Sequence, residues 1–182
     1  MPTTANVSTG KPKVAGAVYR APKGTTLPTD ASTALANTFV DMGYISEDGV
    51  SNSNSPDSEK IKAWGGQTVL VVVNEKSDSF KLTFLESLNT NVLETVYGSA
   101  NVTTGTGTIS VVANAAALGE FVYVIDMVMG TAMKRIVIPA GSLSEVGDIV
   151  YKDNEPVGYE VTLECLPDSS GNNHYEYIKL AS

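Results

Sequence analysis

The sequence has few of the residues on which catalytic and metal sites depend. Its 182 residues include one cysteine and one histidine, Cys165 and His174. A zinc cluster, a thiol–imidazole pair and a disulfide within the subunit are therefore not indicated. The turn-like run Thr103–Thr108 lacks the Gly-Lys-Ser/Thr ending of a phosphate loop, and Ser169 and Ser170 lie in no nucleophile elbow. The sequence predicts a protein that is not an enzyme, with no cofactor and no metal site.

Charged and aromatic residues are also scarce. Charged residues make up 18% of the chain, below the roughly 25% of a typical soluble domain, and aromatics make up 7%. Small and β-branched residues dominate instead, which favours sheet and turn over long helices. An unusually uncharged surface suits a subunit whose faces are covered by neighbours. No apolar run approaches the ~20 residues of a membrane helix, and the N-terminal residues lack the apolar core of a signal peptide.

The charge that is present has an acidic balance, with a net charge of −8 and no basic run. Tight binding of double-stranded DNA, which needs clustered lysine and arginine, is therefore not expected. From charge alone, ordinary acidic solubility is the favoured explanation of this balance. Cys165 alternates in phase with Val161 and Leu163, so it is predicted to be a buried free thiol, in keeping with synthesis in a reducing cytoplasm.

The hydrophobic pattern predicts a mainly-β fold: a single-domain β-sandwich with one or two short flanking helices. The helix ending at Gly98 is capped by Asn89 or Thr90, and the other begins after Asp30 or Ser32. His174, beside a Ser-Gly-Asn-Asn turn, is predicted to be exposed. Strands are predicted at 14–20, 43–47, 67–74, 80–84, 120–129, 132–138, 157–166 and 175–180, and helices at 33–40 and 90–97.

Two segments are predicted to extend from the body of the fold, which spans residues 13–182. Residues 1–12 are polar and form a flexible N-terminal arm. Residues 46–66 form an extended loop or long hairpin, because 48–58 is rich in Ser, Asn and Asp, and Gly65-Gly66 permits a sharp bend. Trp64, near the bend, is equally compatible with an interface and with the core of its own domain.

Two of the predicted strands are apolar on both faces, Gln67–Asn74 and Glu120–Met129. A single sandwich buries one face of each sheet and leaves the other wet. Either the short helices or another subunit must cover the second face, and the sequence alone favours the helices slightly. Two helices of about two turns each cover little area, however, so association has support as well.

Several stretches, in this order and spacing, together resemble the N-terminal half of the major tail proteins of long, non-contractile-tailed bacteriophages. The first runs from Gly16 to Asp30 and contains Pro-Lys-Gly-Thr-Thr-Leu-Pro. Phe39, the run Gly43–Val50 and the run Ile61–Gly66 follow. The resemblance covers about half of the chain and is weak after Gly98. It implies a tail-tube-like, ring-forming β-sandwich with a flanking helix.

The resemblance also implies an assembly. Subunits of such a tube form six-membered rings, and the rings stack. Extended loops and terminal arms link the subunits and successive rings. Carried over, 1–12 and 46–66 are linking elements, with candidate contacts at Asp48, Ser58, Ile61 and Trp64. The implied partners are the chain itself, a tape-measure protein and the tail-terminator and tip proteins. The implied location is the tail of the virion, after synthesis in the host bacterial cytoplasm.

The strand around Cys165 has a second, acidic face that carries Glu160 and Glu164. In a ring with a sheet-lined channel this face looks into the lumen, where carboxylates repel DNA and let it pass without tight binding. An outward, solvent-facing side explains the same pattern, and the pattern alone does not choose.

Two alternatives to a tube subunit remain. The first is a monomeric β-sandwich that binds carbohydrate or a cell surface through exposed aromatics. The second is a secreted, ring-forming tube protein of bacterial origin. The first alternative draws on one tryptophan and five tyrosines: Trp64, Tyr44, Tyr151, Tyr159, Tyr175 and Tyr177.

Overall fold

The structure, a computed structural model, describes residues 3–13 and 17–181, the side chains of residues 5, 57 and 73–75 excepted. The first three residues of the predicted strand 14–20 lie outside this part of the chain. The mainly-β prediction is confirmed, since half of the residues are in strands and 8% in helix. The strands are β1 Gly10–Pro12, β2 Val18–Pro22, β3 Val40–Asp41, β4 Ile45–Lys62, β5 Thr68–Phe84, β6 Val102–Gly105, β7 Thr108–Val111, β8 Glu120–Met129, β9 Ala132–Val146, β10 Tyr159–Cys165 and β11 Tyr175–Lys179.

Nine of the described strands form one antiparallel sheet that folds over into two layers, and β6 and β7 form a separate hairpin. Strand β9 belongs to both layers. Its residues Met133–Val137 pair with β11, and Gly141–Val146 pair with β10. One layer is therefore β3–β2–β8–β9–β11, and the other is β9–β10–β5–β4. Gly141 lies where the sheet folds over. A Cβ atom added there would come within 2.7 Å of the Tyr123 ring, so only glycine fits.

The core lies between the two layers. Tyr123, Ile125 and Ile138 from one layer face Phe80 and Leu163 from the other, all nearly inaccessible to solvent. This burial follows from period-2 alternation, because successive side chains on a strand point to opposite faces. The alternation predicted for β10 is confirmed, and Cys165 is buried beside Val161 and Leu163. Burial raises the pKa of the Cys165 thiol, which makes it a poor nucleophile.

The predicted helix at 90–97 is confirmed as α1, Thr90–Tyr97. The Asn89 side chain caps it by accepting from the Asn91 N–H at 3.0 Å, and Gly98 ends it. Its buried side chains, Val92, Leu93 and Val96, join the core. Arg20 of β2 fixes the helix to the sheet by donating to the Thr95 hydroxyl at 2.7 Å and to the Glu94 carboxylate at 3.0 Å. Thr95 is buried as well, and Tyr97 packs against the core while remaining partly exposed.

The second predicted helix, 33–40, is wrong. The Asp30 carboxylate accepts the Ser32 and Thr33 N–H groups as a helix cap would, but no helix follows. The segment instead lies over the outer face of β8 and β9. Arg135 donates to the carbonyls of Asp30 and Thr33 at 3.1 and 2.8 Å, and pairs with the buried Asp126 carboxylate at 2.7 Å. This loop, and not a helix, covers the second face of β8.

Candidate assembly surfaces

The most prominent surface feature is a hairpin that leaves the body of the protein. Strand β5 pairs with β10 only from Ser79 to Phe84, whereas its residues 68–78 pair with β4 alone. We call residues 54–78 the projecting hairpin. Its turn is closed by a hydrogen bond of 2.8 Å from the Ala63 N–H to the Gln67 carbonyl. The sequence predicts a short strand at 43–47 and an extended loop or long hairpin at 46–66; in the structure residues 45–62 form one 18-residue strand.

The apolar residues of the projecting hairpin are exposed. Trp64 at the turn is fully exposed, and Leu70 and Val71 are 54% and 51% exposed. Because Ile61 and Leu70 are cross-strand partners, they share one face of the hairpin, while Val71 and its partner Lys60 share the other. The preference for helices as the cover of Gln67–Asn74 is therefore wrong, since α1 lies in the body. Exposed apolar area of this kind marks an interaction surface.

Three of the four predicted contact residues lie on the projecting hairpin, and the fourth lies in the body. Ser58, Ile61 and Trp64 are exposed side chains of the projecting hairpin, and Asp48 is exposed at the start of β4, in the body. Sequence reasoning weighed cover of this two-faced run by another subunit but did not name Val69, Leu70 and Val72 among the contact residues, because a run of β-branched and aliphatic residues resembles a buried strand. The absence of any alternation in that run was the available signal.

A polar cluster holds the point where the projecting hairpin leaves the sheet. The carboxylate of Asp78, 2% exposed, accepts from the Asn52 amide at 2.8 Å and contacts His174 Nδ1. The His174 ring meets Phe80 edge-on, with centroids 5.3 Å apart. The prediction that His174 is exposed is therefore wrong: its side chain is 14% exposed. This cluster ties the β10–β11 connection to the base of the hairpin.

A second surface is the outer face of the β9–β10–β5–β4 layer, which we call the polar face. Glu160, Thr162 and Glu164 point to it from β10, opposite their partners Thr83, Lys81 and Ser79. Glu160 and Lys81 form an exposed ion pair of 2.9 Å, and this carboxylate raises the pKa of Lys81. Glu145 of β9, the partner of Thr162, adds a third acid. The face thus carries three carboxylates against one lysine.

The same layer has an open edge on each side. Among the described strands, β4 pairs only with β5, and Leu143–Val146 of β9 pair only with β10. Open edges expose unpaired N–H and C=O groups that accept a strand from another chain. The N-terminal segment is partly tied down, because Gly10–Pro12 pair with Met127–Met129 of β8, while the described residues before them are exposed.

The aromatic residues of the carbohydrate-binding alternative are not brought together. Tyr159 is buried, Trp64 lies at the turn of the projecting hairpin, and Tyr151 is exposed in the β9–β10 connection. Tyr175 and Tyr177 stack on each other on β11. Within residues 3–13 and 17–181, no cluster of three or more metal-ligating side chains is present. No described helix is long and apolar enough to cross a membrane.

The fold and its surfaces define a mainly-β protein with open sheet edges and an exposed apolar hairpin, as in chains that associate with copies of themselves. The family model described as Phage tail tube protein matches residues 10–181. The chain belongs to this family. It is therefore a structural subunit of a phage tail tube, a component of the virion tail that assembles with itself, and the family suggests a non-enzymatic role. No curated protein matches the chain.

Proposed function

We propose that the chain assembles as stacked hexameric rings whose polar faces line a negatively charged conduit for genome passage during ejection. The observation that carries this proposal is the polar face: one whole side of a four-stranded layer holds Glu145, Glu160 and Glu164 against Lys81. Duplex DNA is a dense line of negative charge, so a carboxylate-rich wall repels it and keeps its affinity low. Low affinity is the required property of a conduit.

Rings close through the two open edges of the layer. The β4 edge of one copy pairs with the β9 edge, Leu143–Val146, of the next, and the layers join into a continuous barrel. Two different patches meet in such a contact, so it is head-to-tail and generates a closed ring when the rotation fits. Closure also removes the exposed edges, which otherwise promote uncontrolled aggregation.

The projecting hairpin and the N-terminal arm of residues 1–12 link subunits and successive rings. Ser58, Ile61 and Trp64 contact a neighbouring copy, and Asp48 contacts it near the base of β4. A tape-measure protein fills the lumen during assembly, and terminator and tip proteins cap the ends. The subunit is made in the cytoplasm of the host bacterium, binds no cofactor and catalyses no reaction.

Negative-stain electron microscopy with size-exclusion chromatography, at low and high protein concentration, tests the assembly. We expect six-fold rings or tubes with a central channel at high concentration. A monomer at every concentration would contradict the proposal and favour the alternative of a monomeric β-sandwich that binds carbohydrate or a cell surface.

Charge reversal tests the lumen. Glu160→Lys with Glu164→Lys is expected to leave tubes intact but to slow DNA release from particles. A comparison of two single variants provides the control. Asp153→Lys changes the net charge by the same amount as Glu164→Lys, but at an exposed acid in a loop. Unchanged assembly and unchanged DNA release in the Glu160/Glu164 variant would count against the polar face as the lumen wall.

A further inference from the structure

The two layers separate at one end of the body and leave a cleft of about 840 Å³ between them. Its apolar walls come from the start of β4 and the end of β8, through Ile45, Val50, Ile125 and Met127. Ile45, Val50 and Met127 are only partly buried against the core. The volume falls within the range of about 300–1,000 Å³ typical of ligand pockets. We call this site the open cleft.

The rim of the open cleft is acidic. Asp41, Glu47 and Glu86 line it together with Lys11, and none of the three acids is paired with a lysine or arginine among the described residues. Glu86 accepts from the Tyr44 N–H and the Asn89 amide, and Asp41 accepts from the Gly43 N–H. A fourth acid in the lining, Asp126, is matched by Lys13 at 3.5 Å as well as by Arg135. The rim therefore attracts a cationic partner and offers carboxylate acceptors to an N–H donor.

The turn of the projecting hairpin has the complementary chemistry. Trp64 offers a large apolar ring with a single N–H donor, and Gly65 and Gly66 adopt positive φ values of 106° and 89° that turn the chain around it. Lys60 and Lys62 point to one face of the same hairpin, and within the described part of the chain neither forms an ion pair. An apolar ring flanked by two ammonium groups matches an apolar cleft whose lining holds four carboxylates against two lysines, Lys11 and Lys13.

The open cleft and Trp64 of one copy cannot meet. Val50 lines the cleft, and the 12 residues of β4 from there to Lys62 span about 40 Å at roughly 3.3 Å per residue, with Trp64 two residues further on. The strand stays extended and paired with β5 along this length, with register shifts only at Asp57/Ser58 and Ile61/Lys62. The occupant that this chemistry selects must therefore come from a second copy of the chain.

We propose that the open cleft of one copy receives Trp64 of another copy, with Lys60 and Lys62 against its acidic rim. The inference rests on the proposed self-assembly and names the acceptor site for the projecting hairpin. Trp64 and the cleft are two different patches, so the contact is head-to-tail and extends from copy to copy. A buried aromatic anchor with a charged rim is the usual composition of an interface hot spot.

Trp64 is the only tryptophan of the chain, so its fluorescence reports docking directly. We expect a blue shift of its emission as the protein assembles, because the ring passes from water into the cleft. Lys62→Glu should reduce that shift, and adding Glu47→Lys should restore it. An emission maximum that stays at its monomer position while microscopy shows assembled particles would overturn the inference and leave the proposed function standing.

Cross-linking locates the acceptor. A 1:1 mixture of Ala63→Cys and Tyr44→Cys proteins, assembled and then oxidised, is expected to give a mixed covalent dimer, because Tyr44 lines the cleft and Ala63 directly precedes the docked Trp64. The control mixture replaces Tyr44→Cys by Tyr151→Cys, since the two tyrosines are 77% and 74% exposed and Tyr151 lies away from the cleft lining. Equal dimer yields from both mixtures in assembled particles would refute the cleft as acceptor. Failure of the unmodified chain to assemble would instead refute the proposed function, and this inference with it.

Discussion

The two ends of the β4–β5 pair differ sharply although the same two strands form both. At the body end Leu82 is 2% exposed and alternates with the exposed Lys81, so β5 has one dry face and one wet face. At the hairpin end Leu70 is 54% exposed and Val71 51%, with apolar side chains on both faces and, among the strands that the structure describes, none but β4 beside them. The body end is stabilised by its own fold, whereas the apolar area of the hairpin end stays in contact with water in the single subunit.

The comparison separates two kinds of apolar residue: those that determine whether the subunit folds and those that determine whether it assembles. Substitutions in the body should change the free energy of unfolding. Substitutions in the projecting hairpin should leave the unfolding free energy of the monomer unchanged and alter association. The following experiments examine that separation, beginning with the largest expected effect.

The largest effect is expected from Arg135→Ala in the body. The change leaves the buried Asp126 carboxylate without its main partner. It also removes the hydrogen bonds that Arg135 donates to the carbonyls of Asp30 and Thr33. Breaking one partner of a buried ion pair costs about 3–5 kcal/mol. Urea denaturation of the monomer measures the loss. A control, Lys60→Ala in the hairpin, removes an exposed cation and should change stability by less than about 0.5 kcal/mol. Equal losses in the two variants would abolish the distinction.

A matched pair of leucines tests the distinction with identical chemistry. Leu163→Ala removes a fully buried side chain from the core and should cost about 3 kcal/mol. Leu70→Ala, in the projecting hairpin, should cost less than about 0.5 kcal/mol in the monomer and raise the concentration needed for assembly. Denaturation and sedimentation of the two proteins give both quantities. A stability loss in Leu70→Ala as large as that in Leu163→Ala would show that the hairpin is part of the folding core.

The boundary between the two regions is sensitive to His174→Ala. The Asp78 carboxylate then keeps only Asn52 as a partner, and the loss of one hydrogen bond to a buried charged group costs about 2 kcal/mol. Hydrogen exchange of amides in residues 54–62 should become faster, because the hairpin loses its attachment to the β10–β11 connection. Unchanged exchange there, with the expected loss of stability, would confine the role of His174 to the body.

Alkaline pH should weaken the body more gently. Burial, with Tyr97 and Tyr151, raises the pKa of Tyr159 from 10.0 to about 12. A raised pKa means that the folded state holds the proton more tightly, so this stabilisation is complete below pH 10 and is lost as the pH rises to about 12. The melting temperature should fall over that window, and Tyr159→Phe should make the fall smaller. A fall of equal size in Tyr159→Phe would assign it to other groups.

Local patterns predicted the body well. Alternation placed Val161, Leu163 and Cys165 on one dry face, and the Asn89 cap and Gly98 bounded α1 as found. These features depend on near neighbours in the chain, which a sequence displays directly. The helix at 33–40 failed because Asp30 makes the capping bonds but tertiary contacts from Arg135 hold the following residues extended over the sheet.

The candidate site was predicted less completely, for a different physical reason. Whether Val69–Val72 face a core or solvent depends on which strand lies beside them, and β10 ends its pairing at Ser79. The burial of His174 depends on Asp78, 96 residues earlier. Such long-range pairings leave no periodic trace. Trp64 became a candidate through the family resemblance, which implies linking contacts in residues 46–66, because the sequence alone is equally compatible with an interface and a core position for it.

Strand β9 also has a mechanical consequence. Its first half is hydrogen-bonded into one layer and its second half into the other, so a covalent backbone, and not side-chain packing alone, joins the two layers. A pull applied to one layer is passed to the other along peptide bonds. When a long tube bends, we expect each subunit to move as a rigid unit, and the compliance of the tube to reside in the joints between copies.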